Sequence, residues 1–94
     1  MAEIKLQPDE YYPIRNDLYG ALERYLNHGI NPGSFLSAVL ENNLMEAIGH
    51  ADHQNIVNLK NIVGYIYHHL PSNSWGSHDK VQEYLKHLKQ ENAA

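Results

Sequence analysis

The chain has 94 residues, 43% of them hydrophobic and 19% charged, with a formal net charge of −4 and no cysteine. So short a chain holds one small core, and this balance is that of a globular domain rather than a disordered one. The absence of cysteine excludes disulfides, thiolate zinc sites and cysteine nucleophiles, and seven lysines and arginines are too few for a duplex nucleic-acid face.

Residues 1–12 show no periodicity and contain Pro8, so they read as a flexible or loosely docked lead-in. The start, "MAEIKLQPDEYYP", lacks the basic end and apolar stretch of a signal peptide, and no apolar run could span a bilayer. The chain is therefore expected to stay in the compartment where it is made.

The helical domain is expected over 13–90. Pro13 suits a first helical turn. Ile14, Leu18, Ala21, Leu22, Tyr25 and Leu26 then recur at three- and four-residue steps, which is one face of an amphipathic helix. Gly29 is the expected left-handed C-cap. Asn31 reads as the next N-cap and Pro32 as the first residue of a short second helix, with Phe35, Leu36, Val39 and Leu40 inward. "ENN" interrupts that pattern. A third short helix follows over about Leu44–Ile48, with Leu44, Ala47 and Ile48 inward and Gly49 ending it.

Asp52 is expected to cap the longest helix. Its face is Ile56, Leu59, Ile62, Val63, Ile66, Tyr67 and Leu70, and Pro71 stops it. "SNSWGS" is a turn with Ser77 as N-cap, and Trp75 is expected to plug the core beneath it. Val81, Tyr84, Leu85 and Leu88 mark the last helix, which frays over 91–94. No segment alternates with period two. The fold class is all-α, a single compact domain of about five short helices.

Several spaced motifs agree in order with one known pattern. "HGINPGSFLSAVLENNL", Ala51-Asp52 with Asn55, an "IV-x-YIY" helix and "LPSNSWGS" resemble a family of short phage- and prophage-encoded proteins. The family pattern is roughly HGI-x-PG-x-FL-x-AVL-x-ND, AD-x-x-N, P-x-x-x-WGS. The resemblance covers about residues 18–85. It implies a phage-encoded protein with no assigned catalytic residues, for which work in the host cytoplasm is the expectation. Two positions depart from the pattern: Asn43 stands where the family has an aspartate, and Ser74 where it has a cysteine.

Chemistry-bearing motifs are few. Pro32-Gly33-Ser34 opens a helix, where N–H groups and the dipole favour an anion, and His28 could add a charge. The competing explanation is a tight corner in which Asn31 already caps the first turn, and Gly33 admits a close neighbour. His50 and His53 flank a helix boundary, no third ligand is evident, and no His-Glu-x-x-His pattern occurs, so no metal or other cofactor is expected. No nucleophile elbow, P-loop or dinucleotide fingerprint is present.

Seven tyrosines and one tryptophan exceed what one small core accommodates. Some are expected at an interface between copies or in a ligand pocket, since these side chains join apolar area to a polar tip. The candidate binding residues are His28, Asn31, Gly33, Ser34, Tyr65 and Trp75.

The functional expectation is a non-enzymatic binding protein that self-associates. It would counter a host defence system by occupying a host protein or by sequestering a small nucleotide-like signal. The alternatives are a histidine-dependent small-molecule or metal enzyme, and a purely structural phage component.

Overall fold

A computed structural model describes residues 3–92, with side chains to Gln90. Six helices follow in order: α1 (Asn16–His28), α2 (Ser34–Leu40), α3 (Leu44–His50), α4 (His53–Val57), α5 (Leu59–His69) and α6 (His78–Asn92). A single 3-10 turn, Ser72–Ser74, lies before α6. The Cα radius of gyration is 12.9 Å, which is that of one domain of this length. Among the described residues no helix is long and apolar enough to cross a membrane. The tail expected to fray, 91–94, falls outside the described side chains.

Helix α1 carries the centre of the core, with Leu18, Leu22, Tyr25 and Leu26 buried as the periodicity predicts. It begins three residues after Pro13, whose carbonyl instead accepts a hydrogen bond from the Asn58 amide at 3.1 Å. It ends as expected at Gly29, which is left-handed at φ 68° and donates its N–H to the Tyr25 carbonyl at 3.0 Å.

The next corner differs from expectation. Asn31 does not cap α2. Its side-chain oxygen accepts from the Gly33 N–H at 2.7 Å and from the Ser37 hydroxyl at 3.1 Å, which makes a local turn ahead of the helix. The N-cap is Gly33, at φ 102° and ψ 161°. That region of backbone space is essentially reserved for glycine. A Cβ built at Gly33 would meet nothing within 4 Å. The glycine is therefore there for its backbone angles and not for a close neighbour.

Helix α3 packs on α2 through Ala47. Leu44 and Ile48, expected inward, are exposed, because a seven-residue helix lying on a seven-residue helix covers only one narrow stripe. Gly49 lies inside α3, and extended Ala51 ends it. Asp52 is an N-cap as expected, accepting from the Asn55 N–H at 2.8 Å, but it caps only the five residues of α4. The long helix expected there breaks at Asn58, the residue whose side chain is pulled to Pro13. Beyond the break, α5 buries Ile62, Tyr65 and Ile66 and exposes Val63 and Tyr67.

Ser77 caps α6, its hydroxyl accepting the Lys80 N–H at 3.1 Å. In the turn before it, Gly76 at φ 125° donates its N–H to the Leu40 carbonyl at 2.7 Å, which ties the turn to the end of α2. Trp75 is only half-buried at the core edge. The residue sealed beneath this corner is Ser74, at 0% exposure.

Three tyrosines do enter the core. The Tyr25 hydroxyl donates to the Ser74 carbonyl at 2.8 Å, Tyr65 to Gln7 at 2.7 Å and Tyr84 to Leu26 at 2.6 Å. Each ring fills apolar space while its tip satisfies a backbone acceptor from a distant part of the chain. Burial raises the Tyr65 phenol to about 12, with help from Tyr19 and two carboxylates. Burial likewise raises Tyr25 well above the ordinary range.

The N-terminal segment is fastened more firmly than its lack of periodicity suggests. The Asn27 amide accepts the Ile4 N–H at 2.7 Å and donates to the Ile4 carbonyl at 2.9 Å. Glu23 accepts the Leu6 N–H at 2.8 Å, and Leu6 itself joins the core. At the end of this strap Asp9 bonds His69 Nε2 at 2.7 Å. That bond, together with one from the Tyr11 N–H, holds the Asp9 carboxyl below its ordinary pKa.

Candidate functional site

The short α2–α3–α4 sequence of helices folds back against α1 without filling the space between them. It leaves a cleft of about 420 Å³. Leu18, Ala21, Phe35 and Leu36 give it an apolar floor, and Arg15, Arg24, Ser34, His50 and Asn55 give it polar walls, with one carboxylate, Asp17, which Arg15 pairs. These are the only two arginines of the chain. The volume falls in the range of small-molecule sites.

The two arginines differ in their commitments. The Arg15 side chain bonds Gln54 at 2.7 Å and Asp17 at 3.2 Å, and it lies 3.6 Å from Asp52. It is a clamp between the start of α1 and the start of α4. The Arg24 side chain has no hydrogen bond or ion pair among the described residues, although its backbone carbonyl accepts the Ile30 N–H at 3.3 Å. Its guanidinium folds back along α1, so that a Cβ at Gly20 would lie 3.1 Å from Arg24 Nη1. Gly20 and Arg24 together also line a second, smaller groove beside the N-terminal segment, with Glu3 and Glu23.

Asn55 is the other uncommitted group. The residue is 8% exposed, yet its side-chain amide bonds no described residue and neither polar atom is sealed from solvent. Burying an amide without a partner costs roughly 1–3 kcal/mol. This one opens on the cleft instead. His50, on the rim, is 3.3 Å from Glu46 one helical turn back. Among the described residues the Arg24 guanidinium and the Asn55 amide have no side-chain partner, and they line the cleft with the Ser34 hydroxyl and Asp17 over an apolar floor. That set suits a compact ligand with an anionic end and a polar flat end.

The structure brings only two of the candidate residues, Gly33 and Ser34, into this cleft. Asn31 faces a neighbouring groove beside α6. His28 is 3.4 Å from Glu3 at the strap. Tyr65 is wholly buried and its hydroxyl is bonded to Gln7. Trp75 lies in a separate aromatic group with Tyr67. Sequence reasoning missed Arg15, Arg24 and Asn55. The one available signal was compositional: five lysines against two arginines make each arginine a marked choice.

His50 and His53 do not converge on a third ligand, and among the described residues no three histidine or carboxylate side chains come together around a metal position. No family model, curated protein or solved structure matches the chain.

Proposed function

We propose that the chain is a small binding protein that holds a compact, nucleotide-like anionic ligand in the cleft between α1, the start of α2 and the α3–α4 corner. The observation that supports it is the uncommitted pair, Arg24 and the nearly buried Asn55 amide, facing one cleft. A guanidinium takes a phosphate or carboxylate in two parallel bonds, and an amide reads the edge of a heterocycle. The motif resemblance supports only a phage link; within that reading, the protein would remove a host defence signal in the host cytoplasm. On this reading the protein acts by occupancy and performs no chemistry.

Occupation of a host protein, or of a second copy, is supported by a different observation. Leu44, Met45, Ile48, Ile56 and Val57, on the consecutive helices α3 and α4, are all exposed. Sedimentation of the full chain tests self-association; a species of 10.8 kDa alone at tens of micromolar would count against it.

The ligand proposal is tested by calorimetric titration with mononucleotides, oligomeric nucleotides and inorganic phosphate. Saturable binding is expected, and Arg24→Ala should weaken it by about 10- to 100-fold, the worth of a charged hydrogen bond. Arg24 is exposed, so the melting temperature should stay unchanged. Binding that is absent, or equal in the variant, overturns the proposal.

A further inference from the structure

Beside α5 four rings form an unbroken row, its two ends, Tyr12 and Trp75, half-buried against the core and its middle, Tyr67 and His68, exposed. Tyr12 stacks on His68 with centroids 5.1 Å apart, His68 meets Tyr67 edge-on at 5.1 Å, and Tyr67 tilts against Trp75 at 5.6 Å. Tyr67 is 65% exposed, although its ring is the link between the two halves of the row. None of these four rings lines the ligand cleft.

The chain itself places a cation on this row. Lys80 Nζ lies 5.8 Å from the centre of the Trp75 ring. Aromatic faces attract cations through the ring quadrupole, tryptophan most strongly. Lysine is the weaker occupant, since its ammonium is compact and strongly hydrated, whereas a guanidinium is flat, less hydrated and stacks. The whole chain carries a net charge of −4, which draws a basic partner toward it. The same charge repels a single-stranded nucleic acid, which needs a basic groove beside its stacking rings.

We propose that the row Tyr12–His68–Tyr67–Trp75 is a docking surface for an arginine-bearing segment of a partner protein, whose guanidinium stacks on Tyr67 and Trp75 where Lys80 now reaches. It is a second binding surface, independent of the anionic-ligand cleft.

Trp75 is the only tryptophan, so its emission reports on this surface alone. The full chain is titrated with a Gly-Arg repeat peptide, a Gly-Lys repeat peptide of equal length and charge, and a short oligothymidylate. A saturable change with the arginine peptide is expected, and weaker binding of the lysine peptide. Tyr67→Ala should weaken arginine-peptide binding by about two- to fivefold, the worth of an exposed cation–π contact. The exposed ring can be removed without opening the core, and circular dichroism confirms the fold of the variant. Lys80→Ala should strengthen binding by clearing the Trp75 face. Equal response to the two peptides, no response, unchanged affinity in Tyr67→Ala, or saturation by the oligonucleotide instead of the arginine peptide would each overturn the proposal.

Discussion

Around the cleft, the Arg24 guanidinium and the Asn55 amide are left without a partner among the described residues. Across the core, the hydroxyls of Tyr25, Tyr65 and Tyr84 each end on a backbone carbonyl. Both regions are rich in polar atoms, so polarity does not distinguish a site from a scaffold here. The distinction is whether the fold already uses the hydrogen-bonding capacity. Where it does, substitution should register as lost stability. Where it does not, substitution should register as lost binding with stability intact.

The sharpest case on the scaffold side is Gly64. A Cβ there would run into the ring of Tyr12, which packs directly on the α5 backbone. Gly64→Ala should destabilise the fold by about 2–3 kcal/mol through overpacking, read by urea unfolding. A neutral result would mean that Tyr12 is not seated on α5.

Gly33 breaks the simple division, because it lies on the cleft rim yet serves the backbone. Nothing crowds it, and its φ of 102° is closed to other residues. Gly33→Ala should cost about 1–2 kcal/mol whether or not a ligand is present. A stabilised variant would show that the corner takes a different conformation.

Smaller again is the loss of one tyrosine tip. Tyr25→Phe leaves the Ser74 carbonyl without its donor and should cost about 1 kcal/mol. The same phenols set an alkaline limit. Their folded pKa values are raised by burial, to about 12 for Tyr65. Folding therefore binds the proton more tightly than the unfolded chain does. That stability is complete below the ordinary tyrosine pKa of about 10 and is lost as the pH rises from there through the folded values. Phenolate absorbance should lag for these two rings until the helical signal collapses. Tyrosines that all titrate together near pH 10 in a folded protein would contradict the burial.

Gly20→Ala should have the smallest effect on stability and the opposite sign. Alanine improves an interior position of α1 by about 0.5–1 kcal/mol. Its methyl group pushes aside only the flexible end of Arg24. Melting temperature should rise slightly while affinity in the cleft falls. Unchanged affinity would remove Arg24 from the site.

Much of this scaffold is legible in the sequence. Leu18, Leu22 and Leu26 repeat at helical spacing, Gly29 and Pro71 punctuate, and Asp52 and Ser77 cap, because these effects act within one or two turns. The errors fall where distant segments decide. Nothing near Asn58 marks a break, since its side chain is drawn to Pro13, 45 positions away. Val63 repeats at helical spacing with Leu59 and Ile66, yet it faces solvent, because no second element among the described residues covers that side of α5. Tyr65 falls outside the apolar spacing of α5, and its partner, Gln7, is 58 positions away. The cleft was hidden for the same reason. Arg24 sits on the polar side of α1 like any solvated charge, and only the fold brings Asn55 opposite it.

The strap has a consequence for the order of events during synthesis. Residues 3–9 leave the ribosome well before their seat exists. Asn27 and Glu23 follow within about one helix, but the Tyr65 and His69 contacts come 58 and 60 positions later. At about 5–20 residues per second this is a wait of several seconds. For that interval only Asn27 and Glu23 can hold the strap, and Leu6 has no completed core to enter until α5 arrives to fasten its far end.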